Sequence, residues 1–173
     1  MGLKRFVAIG CLLAASMTTG AQAATISAAV GETGQSDMTY RLGLGWDWDR
    51  TWLQSSVGHL TGYWELGLTQ WSAGDHTSSR QSLSFAPVFV YEFGSGNVVP
   101  FIEAGVGVSG FTGTKVGNRD LGSSFNFEDR LGLGLKIAQQ HRVGVRIIHY
   151  SNAGISEPNE GIESYSLFYS MNF

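Results

Sequence analysis

From Ala24 to Phe173 the chain repeats one pattern, runs of about ten residues in which large apolar side chains alternate with small or polar ones, separated by Gly, Asn, Asp and Ser. Period-two alternation sends successive side chains to opposite faces of a strand, so each run has one apolar face and one of different chemistry. Eight such runs can be read, approximately Ala24 to Gly31, Met38 to Trp48, Gly62 to Trp71, Arg80 to Phe93, Val98 to Phe111, Ser124 to Ile137, His141 to Ser151 and Glu163 to Phe173. Their length and spacing match strands that cross a membrane at a tilt. No stretch carries a helical period, although Thr51 to Leu60 is a longer connection with room for a turn or two.

The two faces differ in kind. The second run sets Tyr40, Leu42, Leu44, Trp46 and Trp48 against Arg41, Gly43, Gly45 and Asp47, and the last sets Tyr165, Leu167, Tyr169, Met171 and Phe173 against Ser164, Ser166, Phe168, Ser170 and Asn172. A soluble sandwich also alternates, but it does not need so many aromatics at strand ends or a terminal Phe. The expected fold is therefore all-β, an eight-stranded antiparallel transmembrane β-barrel formed by residues 24–173 as a single domain. Eight strands enclose a space just wide enough for side chains. The second parity supplies glycines together with Arg41, Arg130, Lys136, Arg142, Arg146, Glu65, Glu92, Glu103 and Glu128. Unpaired charge there would cost several kcal/mol each, so a charged, side-chain-filled interior without an open pore is expected.

Other features narrow the class. Lys4 and Arg5 precede the apolar run Phe6 to Ala15, and "AQA" at residues 21–23 suits a signal peptidase, so residues 1–23 read as a cleaved signal and Ala24 as the mature start. Cys11 would leave with the signal, which removes thiol and disulfide chemistry. Subtracting those two cations from 11 leaves 9 against 14 acids, a mature charge of about −5, and nothing suggests nucleic acid. "LGLGW", "GVGVSG" and "LGLGLK" resemble fragments of phosphate-binding loops, but they lie within alternating runs and lack the strand, turn and helix of a dinucleotide site. Trp46, Trp48 and Trp64 read as an interfacial aromatic belt. "GDH" at Gly74 to His76 offers too few ligands for a metal, and neither metal nor cofactor is expected.

In an even-stranded bacterial barrel both termini lie on the periplasmic side and the longer loops face outward. The connection after the seventh run, residues 152–162, is then extracellular. His149 and Ser151 continue the apolar face of Val143, Val145 and Ile147, so both project outward, near the outer leaflet. A symmetric hairpin would place Ser151 opposite Glu163 and His149 opposite Tyr165, and a small change of register keeps Glu163 beside His149.

A serine hydroxyl, an imidazole and a carboxylate on one face are the parts of an activated nucleophile: the imidazole takes the hydroxyl proton, and the carboxylate fixes its tautomer and stabilises the imidazolium. Asn152, with a backbone N–H near Gly154, is a candidate oxyanion donor. The bland alternative is three ordinary polar residues where strands emerge into headgroups. Ionisable groups facing lipid are costly, so three together ask for a reason.

These residues carry a family resemblance: "HYSNAG" from His149, followed by "EPNEG" and then Glu163, is similar to the signature of the outer-membrane lipid A 3-O-deacylases, the PagL family. The resemblance spans signal, barrel and terminal Phe, with its specific core between His149 and Glu163. It implies His149 as base, Ser151 as nucleophile, Glu163 as orienting acid, Asn152 and Gly154 as oxyanion donors, and lipid A of lipopolysaccharide in the outer leaflet as the substrate. The ester-linked acyl chain at position 3 would leave as a 3-hydroxy fatty acid. A phospholipase using the same serine chemistry and a non-enzymatic structural or adhesive barrel are the competing readings, and a homodimer is compatible with each.

Overall fold

A computed structural model describes residues 24–72 and 79–173. The expected signal segment and the Gly74 to His76 loop lie outside the described residues. Ten strands appear: β1 (Ala24–Glu32), β2 (Met38–Asp47), β3 (Gly58–Trp71), β4 (Arg80–Phe93), β5 (Val98–Phe111), β6 (Lys115–Val116), β7 (Arg119–Asp120), β8 (Phe125–Ile137), β9 (His141–Ser151) and β10 (Ile162–Asn172). Eight close a barrel in the order β1-β10-β9-β8-β5-β4-β3-β2, every neighbouring pair antiparallel. The short β6–β7 hairpin, absent from the sequence expectation, forms its own two-stranded sheet, because two-residue strands are too brief to show a period.

The alternation sorts as its chemistry requires. Leu42, Leu131, Leu133, Val106, Leu167 and Phe173 are among many large apolar side chains exposed on the outer wall, a surface suited to lipid rather than water. Inside, Arg41, Arg130, Arg142 and Arg146 are buried together with Glu65, Glu92, Glu103 and Glu128. Arg130 Nη2 donates to Glu65 Oε1 at 2.7 Å and to Glu128 Oε1 at 2.6 Å, while Arg41 Nη2 reaches the same Glu65 oxygen at 2.9 Å. Arg146 Nε donates to Glu103 Oε1 at 2.6 Å, and Lys136 Nζ to Glu92 at 3.0 Å. The interior is thus a paired ionic network, with an apolar cluster of Trp71, Phe111, Val116, Leu121, Ile148, Tyr150 and Ile162 toward the end opposite the termini.

The long connection between β2 and β3 differs from expectation. It contains no helix; β3 begins at Gly58, four residues earlier than its pattern suggested, and an isolated bridge joins Trp52 to Leu60. Residues 48–57 therefore fold back along the wall at the end where Phe173 N donates to Ala24 O.

Candidate active site

The direction of His149, Ser151 and Glu163 is set by their inward neighbours. Ile148 and Tyr150 are 2% and 1% exposed in the lumen cluster, and Ile162 is 1% exposed on the facing strand. Alternation then drives the intervening side chains outward. Tyr150 is fixed further: its hydroxyl donates to Glu128 Oε2 at 2.8 Å, accepts from Arg41 Nη1 at 3.1 Å, and its ring packs edge-on against Trp71 and Phe111. The strand that carries the histidine and serine is thereby tied to the lumen network through the residue between them.

In the β9–β10 ladder His149 pairs with Glu163, Ile147 with Tyr165 and Tyr150 with Ile162. The register is two residues away from the symmetric hairpin, which would have set Ser151 against Glu163. The chain leaves the ladder one residue earlier than that pairing requires, because residues 152–161 build an ordered loop of their own. The shift places the carboxylate directly across from the imidazole: His149 Nδ1 lies 2.8 Å from Glu163 Oε1, both side chains partly exposed on the outer wall. An ionised carboxylate only accepts, so this contact assigns the proton to Nδ1 and leaves Nε2 as the acceptor. Ser151 projects from the same face two residues on, opposite Phe127 of β8. Among the described residues its hydroxyl makes no hydrogen bond to His149; such contacts often tighten only with substrate present.

Asn152 faces the lumen and is fully buried. Its Nδ2 donates to Leu121 O at 2.7 Å and to Ser156 O at 2.8 Å, and its backbone N–H donates to Asn159 Oδ1 at 3.0 Å. An amide has two protons and both are used, so in this geometry Asn152 organises the loop. Gly154 differs: at φ +78° it follows Ala153 at φ +54°, and its N–H makes no hydrogen bond among the described residues. The β6–β7 hairpin buttresses the same loop, since Asp120 N donates to Glu160 Oε2 and Ser156 Oγ donates to Gly122 O at 3.0 Å.

Two residues near the histidine escape a reading from periodicity. Gly161, at φ +64°, lies under the imidazole so closely that an added Cβ would stand 2.8 Å from His149 Cε1. Asp129 pairs with His149 from the other side, through β8, and is exposed on the outer wall. Summing partner numbers along the β8–β9 hairpin from its three-residue turn would have found Asp129; nothing local marks Gly161.

A family model described as Lipid A 3-O-deacylase (PagL) matches residues 35–172. The lipid A deacylase PagL of Pseudomonas aeruginosa is 61% identical over 169 residues, covering 96% of this chain and 98% of the relative. The PagL of Bordetella bronchiseptica is 35% identical over 109 residues, covering 63% and 61%. The crystal structure of the outer membrane enzyme PagL superposes with a TM-score of 0.83 at 65% identity, covering 85% of this chain and 98% of that one. A de novo designed transmembrane β-barrel superposes with a TM-score of 0.55 at 10% identity over 90% of this chain and 98% of its own, which concerns the fold alone. With a family match across most of the barrel and a relative of this identity along nearly the whole length, the chain belongs to the lipid A 3-O-deacylase (PagL) family.

Proposed function

We propose that this protein is an outer-membrane lipid A 3-O-deacylase that works through a Ser151–His149–Glu163 triad on the lipid-facing wall. The observation that carries this reading is the 2.8 Å contact between His149 Nδ1 and Glu163 Oε1 on the face that also bears Ser151. His149 Nε2 takes the Ser151 proton as Oγ attacks the acyl carbonyl; the sugar 3-hydroxyl departs with that proton, and an acyl ester forms on Ser151. A water, deprotonated by the same Nε2, then attacks the ester and releases the fatty acid, which restores the serine. The Gly154 N–H is the available donor to the oxyanion, a role worth about 3–4 kcal/mol where such donors have been removed from enzymes. The position of the trio on the outside of the wall suits a substrate that diffuses laterally in the outer leaflet, so no tunnel is required.

The test is incubation of the folded protein with lipopolysaccharide in mixed micelles, followed by mass spectrometry of the lipid A. Loss of one ester-linked 3-hydroxyacyl chain, with Ser151→Ala at least about 10³-fold slower, is expected. Near-parental turnover in folded Ser151→Ala would end the serine mechanism. Lysophospholipid in place of deacylated lipid A would assign the same chemistry to phospholipids, and no hydrolysis of either would favour the structural or adhesive reading.

A further inference from the structure

At the end of the barrel away from the triad, four of the chain's five tryptophans gather around the β2–β3 connection. Trp46 and Trp64 are cross-strand partners on the outer wall. Trp48 folds back over Gly62, where any Cβ would collide with its ring, and packs edge-on against Trp52, Trp64 and Phe89 at centroid distances of 5.8, 5.9 and 5.0 Å. Beyond this cluster the connection exposes Trp52, Leu53 and Val57 at 40%, 71% and 61%. A periplasmic turn of two to four residues would close the barrel equally well, as residues 94–97 and 138–140 do. The extra chain therefore builds something that closure does not need.

What it builds is an open surface groove of about 450 Å³ lined by Trp46, Asp47, Trp48, Asp49, Arg50, Trp52 and Trp64. Indole faces attract an alkylammonium, and carboxylates beside them add charge for it. A guanidinium on the same rim suits a phosphate diester. Asp49 and Arg50 are exposed and form no side-chain ion pair among the described residues, and the indole N–H of Trp48 has no protein acceptor there. Asp47 is partly engaged, since its Oδ1 lies 3.6 Å from Arg142 Nη1 and its Oδ2 accepts from Asn172 Nδ2 at 2.7 Å. Positive and negative groups that line one groove beside apolar rings suit a phosphate joined to an ammonium, on acyl chains that run up the wall past Trp64 and Phe89.

We propose that this groove is a binding site for the headgroup of a zwitterionic glycerophospholipid in the periplasmic leaflet. The ammonium lies against the indoles and Asp49, the phosphate against Arg50, and Leu53 and Val57 enter the leaflet beside the acyl chains. The site lies at the opposite end of the strands from Ser151, so it anchors the barrel without entering the chemistry at the outer leaflet, and its failure would leave the triad untouched.

Native mass spectrometry of the full folded protein, titrated in micelles with phosphatidylethanolamine, phosphatidylcholine or phosphatidylglycerol, tests this. One phosphatidylethanolamine, and one phosphatidylcholine because it keeps the cation, should be retained about fivefold more tightly than phosphatidylglycerol, the worth of roughly 1 kcal/mol. Asp49→Asn and Trp52→Ala, which remove groups facing the ammonium, should each reduce retention of the zwitterionic lipids to the level of phosphatidylglycerol, whereas Arg50→Gln should weaken all three lipids alike, with the heat-modifiable gel shift and lipid A turnover preserved. Equal retention of the three lipids by the parent, undiminished preference in Asp49→Asn, or undiminished retention of every lipid in Arg50→Gln would overturn the proposal.

Discussion

His149 and Glu163 face each other across the β9–β10 ladder, and the 2.8 Å contact between Nδ1 and Oε1 adds a side-chain link near the end of that ladder, beside the ten-residue loop of residues 152–161. A bond between register partners on adjacent strands is rigid, because neither side chain can move far without breaking the ladder. It orients the imidazole before any substrate arrives.

Replacing the carboxylate with its neutral isostere tests that relationship. Glu163→Gln preserves size but offers the imidazole either tautomer, so kcat should fall roughly 10³- to 10⁴-fold with KM changed little. Steady-state kinetics on lipopolysaccharide micelles reads the split. A kcat within a few-fold of the parent would remove Glu163 from the reaction.

Gly161→Ala probes the space beneath the ring. The new methyl would press on His149 Cε1 at 2.8 Å and would sit at φ +64°, a region that β-carbons disfavour. Displacing an imidazole by a fraction of an ångström to an ångström costs about 10²-fold. The expected result is a comparable fall in turnover, with the barrel still migrating as a folded species on unheated gels.

Asn152→Ala separates two roles for one amide. If the side chain organises the loop, as its bonds to Leu121 and Ser156 indicate, the loss is a local destabilisation of about 1–3 kcal/mol and cleavage within residues 153–161 by an added protease accelerates. If the amide instead serves the oxyanion, turnover falls 10²- to 10³-fold while protection is unchanged. Limited proteolysis beside an activity assay distinguishes them.

Glu65→Gln addresses the lumen. Glu65 accepts from both Arg41 and Arg130, so neutralising it leaves buried cations short of a partner, at a cost of about 3–5 kcal/mol. The denaturation midpoint in urea should drop accordingly. Removing a cation as well, in Glu65→Gln with Arg130→Met, should recover part of the loss. A single variant as stable as the parent would show that Glu128 alone balances the network.

The legibility of this protein follows from how many residues vote on each feature. Strand parity is repeated along every run, so the inward Arg41, Glu65 and Arg130 and the outward His149, Ser151 and Glu163 could all be assigned from alternation. Register is decided once per hairpin, by the loop, and the loop at residues 152–161 is held by Asn152, Asn159 and the β6–β7 hairpin, whose residues are far apart in the chain. That is why the pairing of His149 with Glu163 differed by two residues from the symmetric guess, and why the donors of Asn152 turned out to be occupied.

The sequence by itself determined the barrel, its charged filling and the face on which His149, Ser151 and Glu163 stand, because period two is a local property of an extended backbone. Only the tertiary structure decided which carboxylate meets which imidazole nitrogen, what lies beneath the ring, and what the Trp46 to Leu60 segment encloses. Those relations depend on contacts between distant segments, which share no period and become fixed only when the wall closes and the loops pack.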